Sequence, residues 1–417
     1  MVLLVSWPYT MIVQNIFLLL LFVNGFHAEN TLLNEDESKD GKVLSLFNVV
    51  TFPNDVCAGN GARNGTCLPA NECASQQGAA SGSCASGYGV CCVFVIQCGS
   101  MSSANCTYIE QTSISSAGSL SQNPCTYRLC RNNDDVCRLR LDFVTNILAQ
   151  PFMGTAVANA AAVGVGGSIG DCIDDTMTLS SPGGQGAPTI CGLNSGQHII
   201  VDMSDLGCNE LTFNLSPGSN ANREWNIKAT QFVCNDNDGV GGPPGCLQYF
   251  REPSGTVASF NFDTSSTAVA PTTTHLSSQK YNVCFRRSSS NCAICYYLHQ
   301  TNSFGLSISS INNMAKSVIG SNCNTDWITI PEANNVLATP VTATNPSGVN
   351  RLCGRALNMI TAMGSTTVCS ISTPFILGVN FNEDEMTVTA ADATMNELAQ
   401  IPGGTYGFWL DYEQKSC

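Results

Sequence analysis

The stretch Cys323-Asn-Thr-Asp-Trp-Ile-Thr-Ile330 carries the pattern that decides the fold class. After Asp326, apolar and polar residues alternate, which places successive side chains on opposite faces of an extended strand. The same arrangement occurs earlier in the chain, in Cys172-Ile-Asp-Asp-Thr-Met-Thr-Leu179. Both stretches predict half-buried strands of antiparallel sheets.

Alternating runs of this kind recur along the chain, separated by clusters of Gly, Pro, Asn and Ser. They include residues 137–143, 198–203, 211–215, 225–230, 256–262, 281–285, 375–379 and 406–412. The segment 235–245 (NDNDGVGGPPG) interrupts the pattern and is a candidate linker. We therefore predict an all-β fold, with one antiparallel β-sandwich in 98–234 and a second in 246–417.

The chain has 23 cysteines, all of them after position 56. Only Cys292 and Cys295 have a spacing that suits a metal site, and no second pair or histidine stands nearby. The cysteines therefore indicate disulfides made in an oxidising compartment.

The N-terminal region indicates secretion. Residues 1–28 carry no charge and contain the apolar run IFLLLLFV, so we predict a signal peptide there and a flexible acidic leader in 29–56. An uncleaved anchor is the alternative. Three sequons, Asn64-Gly-Thr, Asn105-Cys-Thr and Asn214-Leu-Ser, are candidate glycosylation sites.

Residues 57–92 form a small cysteine-rich module that is too poor in apolar residues to fold without cross-links. Its cysteines are Cys57, Cys67, Cys73, Cys84, Cys91 and Cys92. Four spaced cysteines followed by a Cys-Cys doublet resemble the clip domain of arthropod clip proteases. The resemblance implies the pairs Cys57–Cys91, Cys67–Cys84 and Cys73–Cys92.

Both larger units resemble CUB domains, in which a disulfide closes a loop of the form Cys-x-x-Asp-hydrophobic-x-hydrophobic that ends at Cys-Gly. The resemblance implies the pairs Cys172–Cys191 and Cys323–Cys353. The family's last strand, Gly-Phe-x-hydrophobic-x-Tyr, is matched from Gly407 to Tyr412, whereas the first unit has Arg223-Glu-Trp-Asn-Ile there. The stretches 225–231 (WNIKATQ), 245–250 (GCLQYF) and 259–262 (SFNF) resemble secreted arthropod CUB-domain proteins.

Strand spacing predicts two further disulfides, Cys130–Cys137 and Cys284–Cys292. The unit 98–234 holds an odd number of cysteines, and Cys208 matches nothing in the resemblance. We therefore predict that Cys208 is free or forms an intermolecular bond.

The CUB resemblance implies candidate calcium ligands in Asp175, Asp326 and Asp384, since calcium prefers carboxylate oxygens. The early Glu of the family's calcium site is absent, and Lys280 would oppose a cation. We therefore predict no tight calcium site and no cofactor.

No catalytic site is predicted, because protease motifs are absent and the chain after the predicted signal peptide has only His198, His275 and His299. His198 is expected at a surface or strand edge. The formal charge of −14 argues against nucleic acid or anionic membranes as partners.

These features favour a secreted, non-catalytic protein that binds an extracellular protein or glycan through the sandwich loops. One alternative is an accessory component of an extracellular clip-protease cascade. The other is a structural component of matrix or cuticle.

Overall fold

The computed structural model confirms the predicted all-β fold, with one short helix among the residues that it describes. These residues are 51–61, 63–152, 169–234, 239–270, 273–306, 316–335, 349–383 and 405–417. The predicted signal peptide, most of the acidic leader and Asp384 lie outside the described residues.

The cysteine-rich module and the first sandwich are built from twelve strands and the helix α1 (Ala70–Ser75). The module contains β1 (Val56–Ala58), β2 (Asn64–Leu68), β3 (Ala79–Cys84) and β4 (Gly89–Ile96). The first sandwich contains β5 (Met101–Ser102), β6 (Thr107–Ile114), β7 (Cys125–Leu129), β8 (Val136–Ile147), β9 (Asp175–Leu179), β10 (His198–Asp202), β11 (Asn209–Leu215) and β12 (Arg223–Val233).

The second sandwich follows with eleven strands among the described residues. They are β13 (Gln248–Phe250), β14 (Ser254–Ala258), β15 (Lys280–Phe285), β16 (Asn291–Leu298), β17 (Phe304–Gly305), β18 (Ser317–Ile319), β19 (Trp327–Thr329), β20 (Arg351–Gly354), β21 (Val368–Ser370), β22 (Phe375–Asn380) and β23 (Gly407–Ser416).

The two sandwiches share one strand order. In the first, one sheet contains β6-β12-β8-β10 and the other is β5-β7-β11-β9; the second repeats this with β14-β23-β16-β21 and β13-β15-β22-β19. Most neighbours are antiparallel as predicted, but β5 pairs with β7, and β13 with β15, in parallel. Each of these eight strands in one sandwich therefore has a counterpart in the other, whereas β17, β18 and β20 are additions of the second.

Aromatic side chains fill the space between the sheets. In the first sandwich, Phe213 stacks on Trp225 at 4.1 Å, and the Trp225 indole nitrogen donates to the Tyr127 hydroxyl at 3.2 Å. In the second, Phe285 packs against Tyr412 with ring centroids 4.6 Å apart. Burial of such rings is the main apolar contribution to each core.

The cysteine-rich module shares a sheet with the first sandwich. The end of β4 pairs in parallel with the start of β6, so that Phe94 lies opposite Thr107 and Ile96 opposite Ile109. The single strand β4 thus belongs both to the module, through β2 and β3, and to the sheet of the first sandwich, through β6.

The two sandwiches meet along β10 and β13. The backbone nitrogen of Ile200 donates to the Leu247 carbonyl at 2.7 Å, and that of Tyr249 donates to Nε2 of His198 at 2.8 Å. His198 is only 5 % exposed, so the prediction of a surface position is wrong. The local pattern identified an edge strand, but the second sandwich covers that edge.

Part of the predicted linker is held against the first sandwich. The Arg138 guanidinium donates to the carbonyls of Gly241, Pro243 and Cys246 at 3.1–3.4 Å. Phe52–Cys417 accordingly form one compact unit.

Ten disulfides join twenty of the 23 cysteines. Five are the pairs that the clip and CUB resemblances imply, namely Cys57–Cys91, Cys67–Cys84, Cys73–Cys92, Cys172–Cys191 and Cys323–Cys353. The other five are Cys98–Cys125, Cys130–Cys208, Cys246–Cys284, Cys292–Cys417 and Cys295–Cys369.

The two pairs predicted from strand spacing, Cys130–Cys137 and Cys284–Cys292, are wrong. Cys130 bonds to Cys208, which is therefore not free, and Cys284 bonds to Cys246. The reason is topological: strands that are adjacent in sequence, such as β7 and β8 or β15 and β16, belong to opposite sheets.

Candidate functional site

Asp175 and Asp326 occupy equivalent positions in the two sandwiches. Asp175 begins β9 and Asp326 directly precedes β19, and each follows a disulfide-bonded cysteine by three residues. In each case Oδ1 accepts a backbone hydrogen bond from the segment after the neighbouring strand. The donors are the nitrogens of Ser216 at 3.1 Å and Asn382 at 2.8 Å.

The Asp175 carboxylate is fully occupied by other groups. Nε of Arg223 donates to its Oδ2 at 2.7 Å, and Nη2 donates to Oδ1 at 2.9 Å. The Ala149 nitrogen donates to Oδ2 at 2.8 Å. Both charged side chains are inaccessible to solvent, and the hydrogen bonds to Asp175 raise the pKa of Arg223.

Arg223 therefore provides the positive charge that this carboxylate needs. Its bidentate geometry satisfies both oxygens at once. Asp175 is not available as a calcium ligand, so this candidate is withdrawn. Arg223, which occupies this carboxylate, begins the segment in which the first unit departs from the CUB last-strand pattern.

The Asp326 carboxylate is buried without such a partner. It is 1 % exposed, and its Oδ2 has no hydrogen bond within the described part of the chain. The next residue, Trp327, carries the Arg351 guanidinium over its ring, 4.3 Å from the ring centroid. A buried carboxylate oxygen without a donor is costly, which makes this edge a candidate for a cation or a hydrogen-bond donor.

One carboxylate does not make a metal site. Among the described residues, no group of three or more His, Cys, Asp or Glu side chains is arranged to hold a metal ion. Lys280 is exposed on β15, separated from β19 by β22.

We predict no micromolar calcium binding to the full chain. Arg223 occupies the first position, and the second offers Asp326 without the family's early Glu. Isothermal titration should show no saturable heat at micromolar calcium. Saturable heat that is lost in Asp326→Ala and kept in Asp175→Asn would contradict the prediction.

A large groove lies between the cysteine-rich module and the first sandwich, with a volume of about 810 Å³. Of its 22 lining residues, eight carry side-chain amides and only Glu72 is charged. The amides belong to Asn54, Gln76, Gln77, Gln97, Asn105, Asn132, Asn133 and Gln231. Met101 and Val233 add exposed apolar surface. Such a lining suits a neutral polar ligand.

The three sequons differ in exposure. Asn64 and Asn214 are exposed, whereas Asn105 is partly buried in the groove wall. Its Oδ1 accepts hydrogen bonds from the backbone nitrogens of Gln231 at 2.9 Å and Cys106 at 2.8 Å. Glycosylation at all three remains a prediction.

The three histidines of the described residues lie in separate environments. His198 accepts from Tyr249, the His275 ring lies against the carbonyls of Leu276 and Leu306, and His299 contacts Asp411 at 2.8 Å.

Residues 243–415 match the sequence model of the animal CUB domain family. The chain contains a CUB domain. This domain is the second sandwich, and CUB domains are non-catalytic modules that mediate protein binding in extracellular proteins. No enzyme family is indicated, and no described helix is long and apolar enough to span a membrane.

The chain is similar to several solved structures, two of which are regions with CUB domains. The CUB1-EGF-CUB2 domains of rat MASP-1 share 12 % identity, with a TM-score of 0.22, over 77 % of this chain and 99 % of that one. The corresponding human MASP-1/3 region has 13 % identity and a TM-score of 0.21, over 74 % and 99 %. The full extracellular region of zebrafish Gpr126/Adgrg6 has 11 % identity and a TM-score of 0.22, over 78 % and 41 %. No curated protein matched the chain.

Proposed function

We propose that this chain is a secreted binding protein that recognises an extracellular protein or glycan. The CUB domain and the many disulfides support an extracellular role. The repeated strand order supports reading the first sandwich as a second CUB-like domain. The predicted signal peptide supports secretion.

The amide-rich groove is the observation that carries the proposal. Side-chain amides offer both donors and acceptors, which match the hydroxyls of a sugar or the backbone of an extended peptide. Met101 and Val233 provide exposed apolar surface against which a ring or side chain can pack. With Glu72 as the only charged lining residue, the groove favours an uncharged ligand segment.

A blocking substitution tests this site in the full chain. Ser103 is exposed in the groove lining, and only its backbone carbonyl accepts hydrogen bonds, from Asn132 and Gln231. Ser103→Trp should fill the groove while keeping those bonds. We expect partner binding to fall by about tenfold or more, a loss of at least ~1.4 kcal/mol.

The experiment begins with affinity capture from the source's own extracellular fluid, followed by mass spectrometry and a glycan array. The matched control is Ser121→Trp, at an exposed position outside the groove. Equal binding by wild type and Ser103→Trp would reject the groove. A glycan found on Asn105 would also reject it, because that glycan would fill part of the cavity.

A role in a clip-protease cascade is the second candidate. Its support is the module's three disulfides, which are the pairs that the clip resemblance implies. Capture of a serine protease whose binding is lost in Ser103→Trp would favour this role. Capture of a glycan or an unrelated matrix protein would favour the broader binding role.

A further inference from the structure

Three cysteines lie outside the ten disulfides: Cys106, Cys137 and Cys234. Two of them, Cys137 and Cys234, lie where β8 begins and its antiparallel neighbour β12 ends. Val136 lies opposite Val233 and Arg138 opposite Phe232, so Cys137 occupies a bulge between the two pairs. Cys234 follows Val233, and its backbone nitrogen donates to the Asp135 carbonyl at 2.7 Å.

The second sandwich has the same arrangement at its equivalent strands, β16 and β23. Asn291 lies opposite Ser416 and Ala293 opposite Lys415, which leaves Cys292 in the bulge. Cys417 follows Ser416, and its nitrogen donates to the Ser290 carbonyl at 3.0 Å.

The second pair is covalently joined. Cys292 and Cys417 form a disulfide, with their Cα atoms 4.9 Å apart. The matching register, bulge and backbone hydrogen bond place Cys137 and Cys234 in the same relation. The two thiols also interact: burial, followed by interaction with Cys234, raises the pKa of Cys137 to about 11.

We propose that Cys137 and Cys234 form an eleventh disulfide, which leaves Cys106 as the single unpaired cysteine. The count agrees, because eleven pairs account for all but one of the 23 cysteines. Cys106 is fully buried, and burial raises the pKa of its thiol, which disfavours the reactive thiolate.

The oxidant is a protein disulfide of the secretory compartment, acting by thiol–disulfide exchange. One cysteine, as its thiolate, attacks the donor disulfide and forms a mixed disulfide. The other cysteine then displaces the donor, which leaves as a dithiol. Two electrons and two protons pass to the donor, and one S–S bond is exchanged for another.

The new bond would fix the exit from the first sandwich. Arg138, directly after Cys137, holds the Gly241, Pro243 and Cys246 carbonyls. The cross-link would therefore anchor the chain just before residues 235–238, at Cys234, as Arg138 anchors it after them.

Thiol counting on the secreted full chain tests the proposal. The unreduced protein is unfolded, alkylated and weighed, then digested with trypsin and an Asp-specific protease that separates Cys234 from Cys246. We expect one alkylated residue, Cys106, and a linked Cys137–Cys234 peptide. Alkylation of both Cys137 and Cys234, or a bond from either one to Cys106, would overturn the proposal.

Single variants separate the two outcomes, one of them by changing the number of alkylated cysteines in opposite directions. Cys137→Ser should raise the number of alkylated cysteines from one to two, because Cys234 loses its partner. Without the disulfide, the same variant lowers the count from three to two. Cys106→Ala should lower the count from one to zero if the disulfide is present. Without the disulfide, the same variant lowers the count from three to two. The double variant Cys137→Ser/Cys234→Ser should lower the Tm by about 5–10 °C, and an unchanged Tm would argue against the bond.

Discussion

Replacing Arg223 by Met should destabilise the chain by about 3–5 kcal/mol, because it leaves the Asp175 carboxylate buried without a counter-charge. Both side chains of the pair are inaccessible to solvent, so water has no access to compensate the lost ion pair. The corresponding fall in Tm is about 10 °C. Thermal and chemical unfolding of the full chain measure both quantities.

The matched control is Arg128→Met, which breaks an exposed pair with Glu210. That change should stay within about 1 kcal/mol. The double variant Asp175→Asn/Arg223→Met should recover part of the lost unfolding free energy, since it removes both charges. The double-mutant cycle then gives the coupling free energy between the two side chains. If Arg223→Met and Arg128→Met lower the unfolding free energy by the same amount, the buried Asp175–Arg223 pair does not stabilise the first sandwich in the way argued.

Acidification should loosen the joint between the sandwiches through His198. Burial first, and the nearby Arg140 second, lower the pKa of His198 from 6.5 to about 3. The unfolded chain therefore binds a proton that the folded chain excludes, and stability falls as the pH drops from 6.5 towards 3. This loss is about 2 kcal/mol between pH 7 and 5 and about 4 kcal/mol by pH 3.5.

The comparison of wild type with His198→Asn isolates this effect from the titrating carboxylates. Asn offers an oxygen to the Tyr249 nitrogen but does not titrate. The difference in unfolding free energy between the two proteins should narrow or reverse as the pH falls from 7 to 5. His299→Asn, on the second sandwich, is the control and should keep the wild-type response to acid. A pH-independent difference between wild type and His198→Asn would contradict the assignment.

Local sequence pattern predicted the strands well because alternation reports directly on burial of one sheet face. The stretches after Cys172 and Cys323 both became strands, β9 and β19. Arg223 was visible only as a departure from a motif. Its role depends on a contact across 48 positions of sequence, which no local pattern encodes.

The errors share one physical cause, which is that tertiary neighbours are not sequence neighbours. His198 was expected at a surface or strand edge, because its local pattern contains no sign of the second sandwich, a distant segment that covers this edge strand. The pair Cys130–Cys137 was expected across a short turn, but that turn crosses from one sheet to the other. A bond from Cys130 to Cys208 joins neighbouring ends within one sheet, across a sequence separation of 78.

The groove was not predictable for the same reason. Its lining runs from Asn54 to Val233, and it forms only when the cysteine-rich module meets the first sandwich. Amides at scattered positions have no periodicity and match no motif. Only their convergence in space indicates a binding surface.

The joint formed by β10 and β13 has a consequence for avidity. The groove and the Asp326 edge of the CUB domain belong to one compact unit, so a partner held in the groove has a fixed relation to that edge. A second contact at that edge would then be intramolecular, at an effective concentration set by the spacing of the two sites. Two weak sites on one partner could thereby yield tight capture, provided that their spacing on the partner matches their spacing here.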